Sequence, residues 1–129
     1  MAKMMIDKDL ILTVESLDEN IPSCSRYNRD LAGYFLYVFK DKWIFPFKRT
    51  KIKLNILTMT FPDNTVGIID NNPIYNSDYD ILSKYIINDL DGAYIEIRSK
   101  KIIPFKINKC TAISVLHIIP LLECHVVTY

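Results

Sequence analysis

Glycine is nearly absent from this chain. Gly33, Gly67 and Gly92 are the three in 129 residues, so no glycine-rich loop exists to cradle a phosphate. Cysteine is as sparse. Cys24, Cys110 and Cys124 are odd in number and form no CxxC pair, and they read as reduced, small apolar residues against a disulfide or metal site. Neither sign of charge prevails: 16 basic and 15 acidic residues leave a net charge of +1, with no overall pull toward nucleic acid or an anionic membrane. No apolar run approaches the ~18 residues that would cross a bilayer, and residues 1–9 lack the apolar centre of a signal peptide. There is no GxSxG elbow and no HExxH motif. The expectation is an intracellular, soluble protein with no cofactor, metal, nucleic-acid or membrane partner.

What is present is apolar and patterned for strands. Half of the residues are hydrophobic, enough for one packed domain over residues 1–129 that buries about two thirds of its unfolded surface. Ile, Asn, Lys, Asp and Tyr are heavily used, and their AT-rich codons hint at an AT-rich genome, viral or bacterial. The chain is organised around residues 85–98. An apolar run, expected to be a strand buried on both faces, stops at Asn88-Asp89-Leu90-Asp91-Gly92, a hairpin turn by composition. Beyond it Tyr94, Glu96 and Arg98 alternate with Ala93, Ile95 and Ile97, a half-buried strand.

The flanks repeat this grammar. Strands are expected at 10–14, 31–39, 43–45, 65–69, 102–103, 105–107, 112–119 and 121–128, with a loop over 16–29. Across 49–59, Thr50, Ile52, Leu54, Ile56 and Thr58 share one face, while Arg49, Lys51, Lys53, Asn55 and Leu57 share the other. That second face reads as the wet side of an antiparallel sheet, because it offers the basic residues no stacking aromatic for a nucleic-acid stripe. Ser77-x-x-Asp80 has capping-box spacing and allows one short helix over 78–83. Many short strands with at most one short helix make the fold class all-β, a sandwich or barrel.

Reactive groups do not converge. His117 and His125 fall in apolar strands and read as core or surface residues. Asp63, Asp70, Asp78, Asp80, Asp89 and Asp91 fall in corners, where turn chemistry alone favours Asp.

The order of the segments resembles the trimeric dUTPases, from about residue 30 onward. Ala32-Gly33-Tyr34-Phe35-Leu36-Tyr37 is similar to the family's first motif, Ala-Gly-Tyr-Asp-Leu-Tyr. Phe61-Pro62-Asp63-Asn64-Thr65-Val66-Gly67 resembles the approach to the second motif, residues 85–92 the third with Asp89 and Gly92 kept, and residues 107–116 the fourth at Lys109, Ile113 and Leu116. The resemblance implies a dUTPase-like jelly roll, or β-clip, and a trimer, with a dimer as the other possibility. Family members cleave the α–β bond of dUTP, with Mg²⁺ on the triphosphate and a water activated by an Asp.

Against that pattern the polar chemistry is missing. The resemblance places Phe35 at the first-motif Asp, and Asn71-Asn72-Pro73-Ile74-Tyr75 where the second motif holds its phosphate-binding Arg and Ser. It places Ile87 at the water-activating Asp, Leu90 at the Tyr beneath deoxyribose, and Cys110-Thr111-Ala112 at the fourth-motif Gly-Asp-Arg. Phe35, Pro73, Ile87, Asp89 and Leu90 therefore outline a degenerate pocket, and the expectation is no catalysis. An apolar frame kept without its chemistry resembles the inactive, dUTPase-derived early-region oncoprotein of adenoviruses, and so implies a viral protein that binds a host protein in the host cytoplasm. The expected partner surface is Asn71, Asn72, Ile74, Tyr75 and Tyr79, joined by the tail Val127-Thr128-Tyr129, whose spacing of apolar residues suits a PDZ ligand. The alternative is a dUTP-sensing domain or weak pyrophosphatase, with Asp89, Asp70 and Lys109 as contacts. Self-association is expected because residues 112–127 are apolar on both faces.

Overall fold

The computed structural model describes residues 2–7, 10–26 and 33–121. Short β-branched and aromatic runs separated by Asn, Asp and Pro give strands with sharp corners. In chain order they are β1 (Ala2–Asp7), β2 (Leu10–Glu15), β3 (Cys24–Arg26), β4 (Gly33–Tyr37), β5 (Lys42–Ile44), β6 (Arg49–Lys53), β7 (Thr58–Thr60) and β8 (Thr65–Asn71). After a 3₁₀ turn (Pro73–Tyr75) follow β9 (Tyr79–Ile81), β10 (Ile87–Asp89), β11 (Gly92–Ser99), β12 (Phe105–Ile107) and β13 (Ala112–Pro120). One four-stranded sheet has the order β3-β4-β13-β8; another runs β10-β11-β6, with β9 also on β11. Smaller sheets join β1-β2-β7 and β12-β5. The strand pairs of these sheets are antiparallel.

One core joins the sheets. Leu36 and Leu116 from the first large sheet meet Ile52, Ile95 and Ile97 from the second, with Leu12, Val14, Ile44 and Ile56 closing the ends, all fully buried or nearly so. Burying each such side chain contributes roughly 1.5–3 kcal/mol, which is what holds these short strands in register. The alternation on β11 is as expected: Ala93, Ile95 and Ile97 face inward.

Several expectations are corrected. Residues 78–83 form no helix. Tyr79 lies in β9 opposite Ser99, and the cap that operates is Asn72, whose Oδ1 accepts the Ile74 N–H (3.3 Å) ahead of Pro73. Residues 10–14 form the second strand, preceded by β1, and the loop over 16–29 contains β3. The hairpin is tighter than five residues. Asp89 pairs with Gly92, leaving Leu90 and Asp91 as the turn. The strand before it is not buried on both faces, since Tyr85 is 57% exposed and β10 is open to solvent. Ile102 and Ile103 lie in an exposed bend, not a strand. Asn55 is fully buried, because β6 ends at Lys53 and the period of two ends with it. Finally, β13 is a central strand, covered by β4 and β8 on its two edges, so through Ile118 its apolar faces need no partner subunit.

Candidate functional site

The segments that resemble the second and fourth dUTPase motifs meet at one corner. The 3₁₀ turn is braced from behind: Asn72 Nδ2 donates to Ala112 O (2.7 Å), Asn71 Nδ2 to Tyr79 O (2.7 Å) and Tyr79 Oη to Ile113 O (2.6 Å). The Tyr75 and Tyr79 rings stack at 5.8 Å. Burial, with Tyr75 and Asp78 nearby, pushes the Tyr79 phenol well above its ordinary range. A cleft of about 260 Å³ opens beside the corner, with Tyr75, Asp78 and Tyr79 on one wall and Phe105, Ile107 and Thr111 on the other. Lys101 stands at its mouth, 3.3 Å from Asp78 and over the Phe105 ring.

This geometry divides the expected partner surface. Asn72 and Tyr79 are buried and act as braces, so neither is displayed. Tyr75 packs half-buried against the core, and Asn71 is half-buried beside Tyr79. Ile74 is 73% exposed and Pro73 is exposed, so the outward-facing part is these two residues. Val127, Thr128 and Tyr129, like His125 and Cys124, lie outside the described residues.

The third-motif hairpin sits elsewhere. It occupies the first end of β11, whereas Tyr79 pairs with Ser99 at the other end. Seven strand steps put about 23 Å between them. Ile87 lies opposite Tyr94 and Leu90 projects fully into solvent. Asp89 is 3.7 Å from the Lys51 ammonium and accepts the Leu90 N–H. Asp91 accepts a hydrogen bond from the Tyr94 hydroxyl (2.9 Å); that bond and the charge of Lys53 hold its carboxyl below the usual range, and the same bond raises the Tyr94 phenol. Phe35 is half-buried in β4 between Ser25 and Val115. Asp70 accepts the Asn71 N–H, and Lys109 pairs with Asp18 at 3.7 Å. The structure thus gathers the second and fourth motifs, sets Phe35 and Asp70 on either side of Val115 of β13 in one cross-strand row, and leaves the hairpin apart.

Phe35 supplies no oxygen, Asp78 and Asp80 are paired with Lys101 and Lys100, and no group of three or more His, Cys, Asp or Glu among the described residues is placed to hold a metal.

Two features escaped the pattern reading. Trp43, Phe45 and Phe47 are 55%, 49% and 71% exposed on a segment adjoining exposed Ile102 and Ile103, through the Lys106–Trp43 and Pro46–Ser99 pairings. Their aromatic run was legible, but its orientation was not. The basic face of β6 does have an aromatic, Tyr94 of the neighbouring strand, with the Lys51 ammonium 4.5 Å from its ring centroid.

Solved structures similar to this fold include dUTPases. A mutant dUTPase from phage phi11 of S. aureus, described as coordinating a structural Mg(II) ion, is 19% identical with a TM-score of 0.70, covering 92% of this chain and 95% of that one. A mutant dUTPase of Staphylococcus bacteriophage 80alpha with dUpNHpp is 17% identical, with a TM-score of 0.71 over 92% and 87% of the two chains. The EIAV dUTPase is 14% identical, with a TM-score of 0.68 over 92% and 95%. Phage dUTPases, 80alpha's among them, are also described as controlling transfer of virulence genes by a proto-oncogenic G protein-like mechanism. The chain therefore has the dUTPase jelly-roll fold. No protein-family model matches it, and no curated protein matches it in sequence.

Proposed function

We propose that this chain is a non-catalytic viral dUTPase-like protein that binds a host protein and redirects its signalling or defence, comparable to the adenoviral early-region derivative. The observation that carries the reading is Ile74, 73% exposed on a turn braced by Asn71, Asn72 and Tyr79. An apolar side chain held out on a rigid loop loses little freedom when a partner covers it. Trp43, Phe45 and Phe47 add further exposed apolar area of the kind that interfaces favour.

The missing chemistry supports the same reading. At the position of the water-activating Asp, Ile87 offers no proton acceptor, and general-base catalysis alone contributes about 10²–10⁴ in rate. Proteins with this fold include ones described as regulators, so a regulatory role has a structural precedent. The chain works as a homo-oligomer, a trimer by the family's habit with a dimer as the other arrangement.

Incubation with Mg²⁺ and dUTP yields no dUMP above a buffer control; turnover would overturn the non-catalytic reading. Binding of dUTP without turnover would favour the nucleotide-sensing alternative, with Asp89, Asp70 and Lys109 as the contacts to replace. In a pull-down from host-cell lysate, a specific partner is retained by the wild type and lost with Ile74→Asp. Loss only on deleting the last three residues would assign binding to the tail, and recovery of no specific partner would end the host-binding reading.

A further inference from the structure

Two lysine pairs, Lys40/Lys42 and Lys51/Lys53, line a cleft of about 210 Å³ together with Ile52, Asp91 and Tyr94. On β6, Lys51 and Lys53 share a face because they are two residues apart. Between Lys40 and Lys42, Asp41 turns away, pairing with Lys106 at 3.5 Å and accepting the Lys109 N–H at 2.7 Å. Four lysines therefore line the cleft without Asp41, and Asp91 is the carboxylate among its lining residues.

The two pairs differ in what already holds them. Lys53 lies 3.6 Å from Asp91, 5.8 Å from the centroid of Tyr94 and 5.5 Å from that of Phe39. Lys51 lies over Tyr94 and 3.7 Å from Asp89. These two are positioned in advance, so ordering them around a ligand costs little more. Lys40 and Lys42 are exposed and have no ion pair among the described residues. Four positive charges against Asp89 and Asp91 leave two uncompensated.

We propose that this cleft binds a small ligand through a phosphate dianion, as a free phosphate or as the phosphate end of a nucleotide. Two uncompensated charges match a dianion. Ammonium groups from two segments of the chain suit tetrahedral oxygens, whereas a planar carboxylate favours the guanidinium fork. The cleft shares the sheet face of Ile87 and Tyr94, at the opposite end of β11 from Ile74, and rests on nothing in the host-binding reading.

Isothermal titration calorimetry at fixed ionic strength, with orthophosphate, pyrophosphate and dUMP as probes, tests it. Expected is saturable one-site binding that weakens at least tenfold in Lys40→Gln/Lys42→Gln. It is unchanged in Lys48→Gln/Lys84→Gln, which has the same net charge and alters exposed lysines outside the cleft. All four positions are exposed, and circular dichroism confirms that both variants fold. Binding of the inorganic probes alone assigns a free phosphate, and tighter dUMP binding assigns a nucleotide; either upholds the site. No saturable binding of any probe, or an equal loss in both double variants, overturns it.

Discussion

Asn55 gives its whole side chain to the loop ahead of β3. Its Nδ2 donates to the carbonyls of Asp18, Ile21 and Pro22 at 2.9, 3.0 and 3.2 Å, and its Oδ1 accepts the Asp18 N–H at 2.8 Å. Asn55→Ala leaves those groups unpaired around a buried site, and urea denaturation should show a loss of about 2–4 kcal/mol. A change under 0.5 kcal/mol, the scale of a surface substitution, would mean that water replaces the amide. Buried titratable groups set a second expectation. Burial raises the Tyr79 phenol above its ordinary 10.0 and pushes the Cys24 thiol from 9.0 up to about 11. Both are then neutral in the fold at pH values where the unfolded chain ionises. Their contribution is complete below pH 9 and is lost as pH rises past 9 for Cys24 and past 10 for Tyr79. The urea midpoint should be flat near neutrality and fall above pH 9, less steeply in Tyr79→Phe; a midpoint that holds to pH 11 would contradict the assignment. Neither residue's role was legible in the sequence. Asn55 fell on the solvent side because alternation fixes a facing only while the strand lasts, and Tyr79 sat in what looked like a helix start.

At the scale of elements, the hairpin depends on Gly92. Its φ of +137° disfavours any side chain, and a Cβ there would lie 3.0 Å from the Ile56 carbonyl and 3.3 Å from Leu17 Cδ1. Gly92→Ala should cost about 1–3 kcal/mol in thermal or chemical unfolding and shift the NMR signals of β10 most. An unchanged melting temperature would show that the turn adapts. This element was readable from Asn-Asp-Leu-Asp-Gly followed by strict alternation, because turn chemistry and period two agree there. Ser77-x-x-Asp80 misled because a capping box requires an apolar period of about 3.6 after it. Residues 81–84 lack that period, while the buried Tyr79 and the edge of β11 favour a strand. The candidate corner was legible as a place, residues 71–79, but not in its facing. Composition cannot say that Asn72 and Tyr79 turn inward while Ile74 turns out.

At the scale of the whole molecule, the all-β class and its one domain-wide core were legible from the spacing of short apolar runs, and the order of the motifs pointed to the jelly roll. Distances between motifs were not legible, because sequence order does not say that β11 separates hairpin from corner. Multi-angle light scattering should find a particle larger than the 15.0 kDa chain. A monomer at high concentration would end the homo-oligomer reading. The placement of β13 has a further consequence, for the order in which the molecule comes apart. It is bonded to β4 over Ala112–His117 and to β8 over Ser114–Pro120, whereas β5 and β12 hold each other through three residue pairs in a sheet of two. Amide protons of β13 should therefore exchange with deuterium last, at the free energy of global unfolding, and those of β5 and β12 through earlier, partial openings. The edge carrying Trp43 then loosens while β13 still holds, so a ligand gripping Lys42 would slow exchange at β5 and leave β13 unchanged.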